Sequence, residues 1–190
     1  MSNRIRVVKN KIRCLPWKII SKLGIYNENE TPVKFIIENA DWAIKFVGEN
    51  IKREMDIISP GRLEISTKPY RFVKSIVHFG SQYMWLNWGK YMANENQFIT
   101  SFFHGKPEDG EEMKKHIDLF LESVERLEKV ITASSLIEER LLKWGVPQKK
   151  LVKIPLGVNT SLFNLPLNYQ KDSIRNSLGI SKEFIVIGSL

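Results

Sequence analysis

The residue best placed to do chemistry is His104. It follows the apolar run 98–103 and is itself followed by Gly105. An imidazole at the end of a buried strand can hydrogen-bond a hydroxyl or a phosphate, or carry a proton. The glycine after it lets a ligand approach the backbone. The ordinary alternative is a histidine bonded to a loop carbonyl. His78 stands at or near the end of a second strand-like run, 75–79, just before Gly80 and Ser81. Those two offer a backbone N–H and a hydroxyl to a hydroxyl-rich ligand. The alternative for His78 is a place in the core or just behind the site. His116 falls inside an acidic amphipathic helix, where a solvated side chain is expected.

Other chemistries find no support. One cysteine and three scattered histidines give no zinc-type spacing. There is no Gly-x-Ser-x-Gly, phosphate-binding P-loop or Gly-x-Gly-x-x-Gly motif. The acidic run at Glu108, Asp109, Glu111 and Glu112 opens a helix, where negative charge favours the helix dipole. It requires no catalytic role.

These residues must be positioned by an alternation of short apolar strands and amphipathic helices. Strands are expected at 33–37, 56–59, 75–79, 97–103, 130–133 and 151–154. Helices are expected from about 41 to 55, near 85–93, over 111–129 and over 135–144. Asp41 is a plausible cap for the first of these helices. Ser135 and Glu138 have capping-box spacing, and Gly145 is a natural stop. Alternation of this kind implies an α/β fold, a Rossmann-like, mostly parallel sheet with helices on both faces. Ligands bind such sheets at the carboxyl ends of the strands, where His104, Gly105, Gly80 and Ser81 stand.

At 190 residues the chain can bury a domain-sized core. The single Cys14 excludes an intrachain disulfide and fits a reducing compartment. No apolar run reaches the roughly 18 residues of a membrane span. The net charge of +8 is unevenly placed: residues 1–25 hold seven basic residues and no acid. Residues 1–32 therefore read as a basic leader, with Pro16 interrupting its apolar spacing. It is either a segment lying on an anionic membrane surface or a first helix packed on the domain. The body of the chain has no basic face for nucleic acid.

The order from 130 onward is specific. Thr132-Ala133-Ser134-Ser135 precedes a helix. Gly145-Val146-Pro147 follows it, then a strand ending in Pro155-Leu156-Gly157-Val158-Asn159, with Phe163 shortly after. This resembles the end of the N-terminal domain in family 4 glycosyltransferases, which have the two-domain GT-B fold. The resemblance is strong from Gln97 onward and loose before it.

It implies a Rossmann-like acceptor-side domain over 33–165. It also implies a linker and first strand of a second, donor-binding domain over 166–190, with 184–189 as that strand. A His-Gly pair ends a strand at the place of His104 and Gly105, and in the family that His lines the cleft near acceptor and reacting sugar. Gly157 and Asn159 match the family's cleft motif, with Asn159 where Asp is more usual; the two can equally form a simple turn. The loop Glu38-Asn39-Ala40-Asp41-Trp42 lacks the paired glycines that many members use near the donor phosphates.

The reaction implied is transfer of a sugar from a nucleotide-sugar donor to a glycan or glycolipid acceptor, with no metal or other cofactor. The family's donor-binding basic pair and Glu-(seven residues)-Glu motif have no counterpart here. The expectation is therefore a chain inactive by itself, a fragment or the half of a split enzyme. Its place would be the cytoplasm, with peripheral contact at the inner membrane face through residues 1–25. The competing expectation is a non-catalytic or decayed α/β binding module.

Overall fold

A computed structural model of the protein describes residues 3–25, 33–158 and 168–185. The chain forms two compact units, Met1–Pro155 and Leu156–Leu190. The first holds six strands: β1 (Val33–Ile36), β2 (Leu63–Ser66), β3 (Ile76–Phe79), β4 (Gln97–Phe102), β5 (Lys129–Thr132) and β6 (Leu151–Lys153). All pair in parallel, in the order β2-β1-β3-β4-β5-β6. The fold is α/β and Rossmann-like. Its helices are α1 (Asn3–Lys22), α2 (Ala43–Ile58), α3 (Gln82–Trp88), α4 (Glu111–Ser123) and α5 (Ser135–Lys143). In the second unit α6 spans Asn168–Ser177, and Arg175 donates to the carbonyls of Ser181 and Phe184 at 2.7 and 3.0 Å.

Strand alternation sorts the apolar residues onto two faces. Ile36, Val77, Phe79, Phe98, Phe102 and Val130 meet Met84 and Trp85 of α3, Phe120 of α4 and Leu141 of α5 in the main core. Phe35, Ile37 and Leu63 form a smaller cluster on the opposite face. There Gly48 brings α2 close to the sheet: a Cβ on it would lie 2.7 Å from Ile37 Cγ2 and 3.0 Å from Phe35 Cε1.

One buried charge belongs to the main face. Lys34, 1% exposed, pairs across the β1–β2 ladder with Glu64 at 2.8 Å and lies over the Phe72 ring. Burial works against the Glu64 carboxylate, but Lys34 and Arg71 outweigh it and hold its pKa below the ordinary value.

Several sequence expectations shift. The apolar residues 57–58 are the last turn of α2 rather than a strand, and both isoleucines are exposed. The strand comes instead at Leu63–Ser66, whose Leu-Glu-Ile-Ser pattern has only two apolar residues to announce it. Trp42, not Asp41, occupies the α2 cap position, and the Asp41 side chain pairs with Lys45 at 2.5 Å. Ser134 caps α5, accepting from the Ile137 N–H, one residue before the expected serine.

Pro16 does not interrupt α1. The helix is fastened to the domain on both sides of it, with Asn10 and Cys14 buried before it and Ser21 after it. Asn10 Nδ2 donates to the Asn87 carbonyl at 2.9 Å. Phe184 and Ile185 lie outside any strand, and the rest of the strand expected at 184–189 lies outside the described residues.

Trp85 is wholly buried, 5.3 Å from the Phe98 ring and 5.7 Å from the Phe79 ring between centroids. Its indole N–H donates to Ser123 Oγ at 2.7 Å, tying α3 to α4. A Cβ on Gly89 would fall 1.9 Å from the Trp85 ring. Gly89→Ala is expected to cost about 1–3 kcal/mol by forcing that ring out of place, and Trp85→Ala about 3–5 kcal/mol. Urea unfolding of the two variants checks both values.

Candidate functional site

In an all-parallel sheet the carboxyl ends of the strands share one edge, and their loops meet there. The chain passes from β1 outward to β2 and returns across it to β3, so the direction of strand order reverses between β1 and β3. A crevice opens at such a switch point. The loops after β1, β3 and β4 carry the residues of interest.

Between β1 and β3 the fold uses its own polar groups. The Gly80 N–H donates to the Ile36 carbonyl at 2.9 Å. It is therefore not the open donor that the sequence suggested. Gly80 is a glycine because a Cβ would meet Ile44 Cγ2 at 2.7 Å and the Ile36 carbonyl oxygen at 3.0 Å. Ser81 is buried; its hydroxyl oxygen caps α3 by accepting from the Met84 N–H at 3.3 Å, and it donates to Glu38 Oε1 at 3.4 Å. Glu38, in the loop that lacks the paired glycines, is thus tied to the Ser81 cap at this crevice.

The loop after β4 is held more firmly. Gln82, wholly buried at the start of α3, donates through Nε2 to the His104 carbonyl at 3.0 Å. Arg140 of α5 donates to the Gly105 carbonyl at 3.3 Å. Gly105 has φ of +106°, and a Cβ there would lie 2.7 Å from Met113 Sδ. Both peptide carbonyls flanking the turn are fixed, and the His104 side chain is exposed. Its imidazole lies 5.8 Å from the Tyr83 ring, which lies 4.2 Å from His116.

His116 is half-buried rather than solvated, and its Nε2 is buried without a hydrogen-bond partner. Burial, with His104 adding to it, lowers its pKa. The signal for its position was in the sequence: it falls three residues after Met113 and four before Phe120, beside the buried stripe of α4. Gln82 and Tyr83 follow directly on the Gly80-Ser81 pair, and Arg140 lies on α5. Only the fold brings these three to His104.

His78 belongs elsewhere. It lies within β3 on the face of the smaller cluster, edge-on to Phe35 at 4.6 Å, with Nε2 3.0 Å from Ser101 Oγ. Burial lowers its pKa to about 4. Gly157 is exposed in the second unit, and a Cβ on it would meet nothing within 4 Å. Asn159 lies outside the described residues. Among the described residues, no group of three or more His, Cys, Asp or Glu could hold a metal ion.

A chain of consequence links His78 to stability. The unfolded state takes up a proton on this imidazole near pH 6.5, whereas the folded state resists it until about 4. The unfolded state therefore binds more protons across that window, and stability falls as pH drops through it. His78→Leu is expected to flatten the dependence of unfolding free energy on pH between those values. An unchanged slope, measured by urea titration at a series of pH values, would contradict the assignment.

No family model, curated protein or solved structure matches the chain, so the chemistry of this edge rests on its own residues.

Proposed function

We propose that the protein is the acceptor-binding portion of a glycosyltransferase. It would present a hydroxyl of a saccharide or lipid acceptor to a nucleotide-sugar donor, with the donor-binding groups supplied by a second domain. The observation that carries this reading is the exposed His104 imidazole on a turn whose two carbonyls are held by Gln82 and Arg140. A fixed backbone with an outward imidazole at a strand's carboxyl end can orient a hydroxyl at low entropic cost. The Tyr83 ring beside it offers an apolar surface against which a sugar can lie. The Pro155-Leu156-Gly157-Val158-Asn159 order and its resemblance to family 4 glycosyltransferases support the same reading.

In this scheme His104 orients the acceptor or the reacting sugar. Gly80 and Ser81 shape the neighbouring crevice by close packing. One observation favours a binding module without catalysis: the Gly80 N–H and the Ser81 hydroxyl are already bonded within the fold. Fewer groups than the sequence suggested are then directed at a substrate.

Titrating the full chain with oligosaccharides and glycolipid headgroups, followed by backbone amide resonances, tests the reading. Shifts are expected at Tyr83, His104 and Gly105. His104→Ala should weaken binding about three- to tenfold, the loss of one hydrogen bond, with an unchanged urea midpoint. Absence of any shift across the acceptor panel, or full affinity in His104→Ala, would overturn it. Transfer from radiolabelled nucleotide sugars in the presence of a donor-binding domain separates the transferase from the binding module.

A further inference from the structure

The basic N-terminal helix is mounted with its apolar side outward. Asn10, Cys14 and Ser21 face the domain and are buried. On the opposite side Ile5, Val8, Ile12, Leu15, Ile19 and Leu23 recur at intervals of three and four residues. Each is between 52% and 65% exposed. At about 100° per residue, these six fall on one stripe diametrically opposite the docked side. Lys11, Lys18 and Lys22 border one long edge of the stripe, and Lys9 and Arg13 border the other. Residues 1–25 hold no acid to offset them.

We infer that α1 is a docking surface for an anionic lipid bilayer, lying in the plane of the headgroups with the aliphatic stripe among the acyl chains. A stripe of aliphatic side chains between two cationic rims is the pattern of an interfacial helix, and each basic residue near the surface adds attraction to anionic lipid. The helix is not long and apolar enough to cross the membrane. A second copy of the chain is a poor occupant, because pairing two stripes would bring cationic rims together. The stripe also lacks the Trp, Tyr and Arg anchors that dominate protein hot spots. The helix is fastened to the domain through Asn10 and Cys14, so the bilayer would bind the folded domain and not a detached tail.

The test is flotation of the full chain with vesicles, in the absence of any sugar, so its outcome is independent of the transferase reading. The chain should float with phosphatidylcholine vesicles containing phosphatidylglycerol, and much less with phosphatidylcholine alone or at high salt. Ile12→Asp with Ile19→Asp should abolish flotation while leaving the circular dichroism and urea midpoint unchanged, since both side chains face outward. Lys11→Gln with Lys18→Gln and Lys22→Gln should weaken binding to the anionic vesicles roughly 100-fold. A chain that stays in solution with anionic vesicles at low salt overturns the inference, as does flotation that survives both sets of substitutions. A lipid-independent dimer broken by the aspartates, with no vesicle binding, also overturns it and assigns the stripe to a protein contact.

Discussion

The burial of Trp85 is the constraint on which the arrangement of this domain depends. The indole fills the space between β3 and β4 on one side and α4 on the other, through Phe79, Phe98 and Ser123. Gly89 leaves it room. With Trp85 fixed, α3 can start only where Ser81 caps it, and Gln82 is carried inward to the His104 carbonyl. The candidate site is therefore set by a packing decision made some distance from it. An exposed imidazole on a loosely held loop would have little recognition value; this one stands on a turn whose backbone is pinned from two helices.

The alternation of strands and helices was legible because five of the six strands carry apolar runs bounded by turn residues. The exception, β2, is short and half-polar, and its half-buried Glu64 pairs with the buried Lys34. A cross-strand ion pair leaves no periodic trace in either strand. The helix α2 overran its expected end because Ile57 and Ile58 look like strand residues, yet both are exposed at its last turn. Pro16 predicts a break because propensity is local, yet it lies inside α1. The contacts that dock α1 on the domain come from residues distant in sequence.

The candidate site was legible only in its exposed member. His104 and Gly105 announce themselves by following an apolar run. Gln82 and Arg140 act by holding carbonyls and carry no motif, so their contribution appears only when α3 and α5 are placed against the sheet. Conversely, Gly80 has the sequence signature of a ligand-facing glycine, but close contact of β1, β3 and Ile44 accounts for it. His78, two residues before that glycine, is a neutral imidazole packed on Phe35. A histidine before a glycine reports the end of a strand; which face its ring takes is decided by strand register.

The single thiol of the chain lies under α1. Burial pushes Cys14 up to about 11, against the opposing pull of Lys18, so at neutral pH it is a protonated, shielded group. Its reactivity is therefore coupled to the docking of the helix: an alkylating reagent reaches it only in the fraction of molecules whose first helix has lifted away. Labelling rate then becomes a measure of the opening equilibrium of this one element, read at the chain's own thiol. Whatever holds α1 down slows that rate in the same proportion.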